Sequence, residues 1–112
     1  MEIVNLKGQI VRFVDESQPG WVEFEFEDAE GRRHMFVDKV PILTSEDLRA
    51  DSTYPQLGLM PCEVLTRWRG QDGRELVRIS TANPLDDKSA EGLSEFVVEA
   101  AKLSAGKAPV RR

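Results

Sequence analysis

Residues 20–38, GWVEFEFEDAEGRRHMFVD, decide the fold of this chain. In the first half of this stretch apolar and acidic side chains alternate, which is typical of a half-buried β-strand. Val22, Phe24 and Phe26 lie on one face, and Trp21, Glu23, Glu25 and Glu27 lie on the other. A turn and a second alternating run then complete an antiparallel hairpin. The stretch therefore predicts a sheet with one apolar face and one acidic face.

The turn at residues 28–31 fixes the register of this hairpin. Glycine adopts positive φ without steric cost, so Gly31 is expected to close a three-residue loop. The predicted partners are Asp28 with Arg32, Glu27 with Arg33, Phe26 with His34, and Phe24 with Phe36. This register places an ion pair outside and an aromatic pair inside, and both arrangements favour it.

Further elements are predicted on both sides of the hairpin. A long first strand covers residues 2–16 and is bent or interrupted at Gly8, because an interior glycine permits a bulge or a bend. Pro41 ends the third strand, since proline cannot donate a hydrogen bond to the ladder. A short helix is predicted over residues 44–50, with Thr44 as its cap.

A second hairpin is predicted over residues 59–80, with its turn at residues 70–73. The same loop geometry as in the first hairpin pairs Arg69 with Glu75 and Trp68 with Leu76. Residues 93–103 fit either a helical stripe or a closing edge strand, and we favour a strand near residues 94–98.

The predicted order of elements is strand, strand, strand, short helix, strand, strand, with a C-terminal addition. This order predicts a mainly β domain, a small and partly open antiparallel β-barrel of OB-like layout. An SH3-like barrel is the nearest alternative. Residues 1–105 are expected to form this single domain, and residues 106–112 a flexible tail.

The charge and the cysteine content of the chain limit the kinds of partner and compartment that are expected. The chain has 112 residues and a net charge of −5, which suits one soluble globular domain. Apart from Lys107, Arg111 and Arg112, it carries 12 basic against 20 acidic side chains, so residues 1–105 have a balance of −8. Such a body repels nucleic-acid backbones and anionic membranes at long range. A single cysteine, Cys62, excludes an internal disulfide and indicates the cytoplasm.

The first candidate site is the acidic stripe, defined as Glu23, Glu25 and Glu27 with Trp21 at its edge. Alternate residues on a strand are separated by about 6.6–6.8 Å, which is too far for three carboxylates to hold one metal ion. A solvated outer face is the simpler interpretation, because runs of charge usually face water. The functional interpretation is a docking surface, on which the glutamates steer a basic protein and Trp21 supplies an anchor.

The second candidate site is the arginine hairpin, defined as Arg67, Trp68, Arg69 and Arg78. Arginines beside an aromatic side chain bind single-stranded nucleic acid through phosphate contacts and base stacking. Acidic neighbours dilute this patch, and the net charge of the chain opposes the interaction. Ordinary cross-strand pairing is the simpler interpretation.

The residues suited to catalysis or metal binding stand alone. His34 is the only histidine, and its place among core phenylalanines favours a structural hydrogen bond over acid–base chemistry. Cys62 alternates with Val64, as expected of a small buried apolar side chain. One cysteine and one histidine do not make a zinc site, and no phosphate-binding loop or serine-elbow motif occurs. We therefore predict no catalytic residue, no metal and no cofactor.

The sequence favours a non-enzymatic protein-interaction module of the immunity or adaptor kind, whose acidic stripe docks a basic protein partner. Small acidic proteins that neutralise basic toxins share its charge and size. The alternative is OB-like binding of single-stranded nucleic acid through the arginine hairpin. The identity of the partner and the oligomeric state stay open.

Overall fold

The structure is a computed structural model and describes residues 1–104. Within this range the chain forms, in order, β1 (Glu2–Asp15), β2 (Trp21–Glu27), β3 (Arg33–Lys39), α1 (Val40–Leu43), β4 (Gln56–Arg69), β5 (Glu75–Ser80), β6 (Glu95–Glu99), the 3₁₀ turn η1 (Ala100–Lys102) and β7 (Leu103–Ser104). The predicted C-terminal tail, residues 106–112, lies outside the described residues.

The strands form one antiparallel sheet in the order β3-β2-β1-β4-β5-β6, and β7 pairs with β1. The long strand β1 is central, because its first half pairs with β4 and its second half pairs with β2. The sheet curls around β1 into a half-barrel. The predicted small, partly open antiparallel barrel is therefore confirmed, with its short helix between the third and fourth strands.

The β2–β3 hairpin has the predicted register. Phe24 pairs with Phe36, Phe26 pairs with His34, and Glu27 pairs with Arg33. The loop closes where the Asp28 amide donates to the Arg32 carbonyl at 2.8 Å. Gly31 has φ +82°, the left-handed conformation that its place in the turn required. The second hairpin is also confirmed, with Arg69 opposite Glu75 and Trp68 opposite Leu76.

Gly8 is needed for packing. Of the two effects predicted there, a bend or an interruption of the first strand, the interruption is wrong. β1 runs unbroken through Gly8, and its register shifts fall later, between residues 10 and 12 and between residues 13 and 15. Gly8 pairs with Gly58 on β4. A Cβ on Gly8 would lie 2.5 Å from Phe24 Cζ and still closer to the Glu25 carbonyl oxygen. The paired glycines make room for the Phe24 ring, which is fully buried.

The short helix lies earlier than predicted, at Val40–Leu43 instead of residues 44–50. Proline fits the first turn of a helix, where its missing N–H costs nothing, so Pro41 begins a helical turn as well as following the strand. Thr44 Oγ1 accepts a hydrogen bond from the Glu46 amide at 3.0 Å. That local turn competes with helix formation and holds the next residues in irregular backbone.

The C-terminal region contains the predicted strand, at Glu95–Glu99, paired with β5. The helical tendency of the following alanines is realised only as the single turn η1. After that turn, β7 pairs with β1 through Asn5–Ser104 and Leu6–Leu103. The residues for which helix and strand competed thus form both, one after the other.

Candidate functional site

The acidic stripe is partly neutralised by the protein's own cations. Glu23 Oε2 lies 2.8 Å from Arg12 Nη2, and Glu25 Oε1 lies 3.9 Å from Arg33 Nε. At the edge of the stripe, Lys39 Nζ lies 5.6 Å from the centre of the Trp21 ring. Cross-strand neighbours on β1 and β3 supply these three cations, so the outer face of β2 carries mixed charge.

The arginine hairpin does not present its four side chains as one surface. Arg67 Nη2 is paired with Glu2 at 2.7 Å, and Arg69 Nη2 with Glu75 at 3.0 Å. Trp68, which is 38% exposed, and Arg78 line a groove of about 420 Å³ together with His34, while Arg67 and Arg69 do not line it. Trp68 also lines a smaller groove of about 190 Å³ with Arg67 and Arg69, so three of the four predicted residues lie together and Arg78 lies apart from the two paired arginines.

His34 joins two loops at the bottom of that groove. It is only 6% exposed. Its Nε2 lies 2.8 Å from Asp28 Oδ2, and its Nδ1 lies 3.2 Å from Glu91 Oε2. Its ring packs on Phe26 and Phe96 with centroid distances of 5.4 and 4.7 Å. The structural role predicted for this histidine agrees with these contacts, but the loop partners Asp28 and Glu91 could not be identified from the sequence.

The carboxylates around His34 are held in the charged form. Burial by itself raises the pKa of Asp28, but hydrogen bonds from His34 and from the Arg32 and Glu30 amides outweigh it and lower that pKa. A hydrogen bond from Ser89, with a further contribution from His34, lowers the pKa of Glu91.

A second pair of acidic side chains, Asp38 and Asp87, lies further along β3. Asp38 is 7% exposed, and its Oδ2 is buried without a hydrogen-bond partner in the described structure. Burial, followed by the hydrogen bond and charge of Asp87, raises the pKa of Asp38 to about 7. No local pattern pointed to this pair, because 49 positions along the chain separate its members.

Cys62 is fully buried, as the alternation of β4 predicted. Burial raises the pKa of its thiol to about 12. The nucleophilic thiolate is therefore negligible at neutral pH.

A cluster of acidic side chains lies at a groove outside the two predicted sites. This groove, of about 480 Å³, lies between the β1–β2 turn and the segment after α1. We call it the acidic groove, and its main lining residues are Phe13, Glu16, Pro19, Asp47, Leu48 and Asp51. Arg49 also lines it, but its guanidinium already pairs with Asp47 at 3.0 Å.

Sequence reasoning missed the acidic groove because its residues come from two loops. The signal was nevertheless present in the charge of those loops. Glu16, Glu46, Asp47 and Asp51 are accompanied there by Arg49 alone. Charges on a strand can be recognised from the alternation of its residues. Charges on two loops act together only after the fold has placed the loops side by side.

Within residues 1–104, no three histidine, cysteine or acidic side chains are placed to share a metal ion. Over the same residues, no helix has the length and apolar character to cross a membrane. Comparisons with protein-family models, with curated proteins and with solved structures found no match to this chain. The function must therefore be inferred from the geometry of the grooves and their side chains.

Proposed function

We propose that the protein is a non-enzymatic binding module that docks a basic segment of another protein in the acidic groove. One observation carries this proposal. Glu16 and Asp51 line the groove, and neither makes an ion pair within residues 1–104, while the one arginine beside them is held by Asp47. The groove thus has negative charge that the fold itself does not compensate.

The lining of the groove suits a lysine or arginine side chain of the partner. Such side chains lay their aliphatic stems on apolar surface and keep the charged head near water. Phe13 and Pro19 offer that apolar surface, and Leu48 closes the floor. The two uncompensated carboxylates, at Glu16 and Asp51, would receive the cationic head. Exposed carboxylates of this kind raise the association rate and set specificity more than they raise affinity.

The acidic stripe is a weaker candidate for the same task. A basic partner on Glu23 or Glu25 would have to displace Arg12 or Arg33. Exchanging one exposed ion pair for another yields little free energy, because each such pair contributes about 0–1 kcal/mol. We therefore place the docking site in the acidic groove and assign the stripe a subordinate role.

A binding role is also supported by the state of His34 and Cys62, the two side chains best suited to catalysis. Both ring nitrogens of His34 are engaged with carboxylates, and the Cys62 thiol is buried with its pKa raised to about 12. Neither side chain is available to a substrate in this arrangement. With a single cysteine in the chain, we further propose a reducing location, the cytoplasm.

Selection from a displayed random-peptide library at low salt tests the proposal. The wild-type protein is expected to enrich peptides rich in lysine and arginine, and their binding should weaken as salt increases. The variant Glu16→Lys/Asp51→Lys is expected to lose these peptides, because it reverses both uncompensated charges of the groove.

The matched control is Glu25→Lys/Glu27→Lys on the acidic stripe, which changes the net charge of the protein by the same amount. It should retain most of the binding. If the control loses the peptides and the groove variant keeps them, the acidic stripe is the docking surface. If both lose them equally, overall charge alone attracts the peptides and the acidic groove is not a specific site.

Titration with a single-stranded oligonucleotide, followed by Trp68 fluorescence, tests the alternative function. We expect no saturable quenching at physiological salt, since Arg67 and Arg69 are already paired with Glu2 and Glu75. Quenching that disappears in Arg67→Ala/Arg69→Ala would instead assign nucleic-acid binding to the arginine hairpin.

A further inference from the structure

The barrel is open between β3 and β6, the two outermost strands of the sheet order. Part of the β5–β6 connection lies along β3 in this opening. Ala90 donates its amide proton to the Met35 carbonyl at 2.8 Å. His34 contacts Glu91 one position to one side. Three positions to the other side, Asp38 lies opposite Asp87, and burial together with the charge of Asp87 raises the pKa of Asp38. The two hydrogen bonds and the Asp38–Asp87 pairing fit one antiparallel register, so residues 87–91 form a strap on the edge of β3.

The contact of His34 with the strap needs a proton on both ring nitrogens. A neutral imidazole has one N–H and can donate to one carboxylate only, whereas the cation donates to two. The contact with Asp28 is shorter, at 2.8 Å, than the contact with Glu91, at 3.2 Å. Asp28 is also less exposed, 15% against 46%. On loss of one proton, His34 is therefore expected to keep Asp28 and release Glu91.

The contact of Asp38 with the strap also needs a proton. Two carboxylates that meet side by side hold together when they share one proton, and they repel when both are ionised. Asp38 Oδ2 is buried without a partner, so solvent does not screen its charge. The raised pKa of Asp38, about 7, places the loss of this proton near neutrality.

From this geometry we propose that residues 87–91 are a proton-operated strap. The strap lies closed on β3 when His34 is doubly protonated and Asp38 shares a proton with Asp87, and it releases when these protons are lost. Because both contacts need protons, both favour the closed strap in mild acid. Release frees the outward-facing backbone of β3 at Met35, and an uncovered strand edge can pair with another strand.

The other charged groups near His34 and Asp38 are arginines, a lysine and two glutamates. Arg32, Arg74 and Arg78 line the groove above His34 together with Glu30 and Glu95. Arg74 is held by Asp72 at 2.6 Å and by Glu99 at 3.0 Å. Beside Asp38, the Lys39 amide and charge lower the pKa of the carboxyl but do not overcome the effect of burial and Asp87.

Amide exchange measured by NMR tests the strap directly. The Ala90 amide reports the strap, and the Thr81 amide, which donates to Ser94 at the base of the same connection, reports the body of the barrel. Between about pH 6 and about pH 9, the protection of Ala90 corrected for intrinsic exchange should fall by about tenfold or more, because each unit of pKa difference between closed and open states contributes up to about tenfold. Thr81 should lose less protection than Ala90 over the same pH range.

The variant Asp87→Asn/Glu91→Gln separates a proton switch from ordinary loop packing. Its amide groups can donate to Asp38 and to the neutral His34 ring at any pH, so both strap contacts survive without the transferable protons. Ala90 protection in this variant is expected to be independent of pH.

Two results would overturn the proposal. One is equal protection of Ala90 at both pH values in the wild-type protein. The other is a fall in Ala90 protection in the double variant as large as in the wild type. In either case the strap would be held by packing and backbone contacts, without proton control.

Discussion

The β2–β3 hairpin and the β5–β6 connection both join strands of the same antiparallel sheet, yet they depend on different information. The hairpin turns within residues 28–32, and its register follows from alternation and one glycine. The connection spans residues 81–94 and is fixed by contacts with β3, a strand far away in the sequence. Local patterns determine the first region, whereas the second acquires its position only once the barrel has formed.

The same difference governs their charged residues. In the hairpin, Glu23 and Glu25 pair with cations on neighbouring strands and become part of a surface of mixed charge. In the connection, Asp87 and Glu91 meet buried titratable groups. Identical carboxylates therefore serve as solubilising charge in one region and as proton-dependent contacts in the other. Four experiments test this comparison.

The largest effect is expected from Gly8→Ala, which tests how tightly the inner face of the hairpin is packed. The new Cβ would overlap the Phe24 ring and the Glu25 carbonyl, both on β2. Overpacking of this kind costs about 3 kcal/mol, measured as the change in unfolding free energy in urea. The control is Gly73→Ala, which has positive φ but empty surroundings and should cost about 1 kcal/mol. Equal costs would mean that Phe24 does not need the space at Gly8.

The second effect is a pH dependence of stability from the connection. Because the pKa of Asp38 is raised to about 7, the folded protein holds a proton that the unfolded chain has already lost. The corresponding stability is fully present below about pH 4, the unfolded pKa, and is lost as pH rises through about 7. Urea midpoints should fall over this window, and Asp38→Asn should flatten the fall. An unchanged slope in Asp38→Asn would contradict the assignment.

A smaller effect is expected from Gly31→Val, which tests whether one residue fixes the hairpin turn. Gly31 has φ +82° and open space around it, so the cost is conformational and not steric crowding. A β-branched residue in this conformation should lose about 1–2 kcal/mol of unfolding free energy. Glu30→Val in the same turn serves as the control and should lose less. If Gly31→Val does not lower the unfolding free energy, the turn does not fix the register of the hairpin.

The smallest effect concerns the ion pairs of the acidic stripe. Double-mutant cycles on Arg12/Glu23 and Arg33/Glu25 should give coupling energies below about 1 kcal/mol. The first pair, at 2.8 Å, should couple more strongly than the second, at 3.9 Å. Zero coupling in both cycles would mean that Glu23 and Glu25 are free to bind a partner, and it would strengthen the case for the acidic stripe as the docking surface.

Regularities shorter than about ten residues could be predicted from the sequence. The registers of both hairpins, the positive φ of Gly31 and the buried state of Cys62 follow from alternation and turn chemistry. The helix position was missed because Pro41 fits the first turn of a helix, where no N–H is needed, while Thr44 accepts the Glu46 amide in a local turn instead of capping a helix. The close packing of Gly8 against the Phe24 ring could not be predicted, because that ring belongs to another strand.

The sequence by itself determined a curled antiparallel sheet, because strand alternation and glycine turns are local consequences of steric and hydrophobic forces. Only the tertiary structure decided which charges are available. It paired the stripe glutamates with arginines, gathered Glu16 and Asp51 in one groove, and set Asp38 against Asp87. The physical reason is that electrostatic interactions depend on distance and burial, and both are fixed only when remote segments meet.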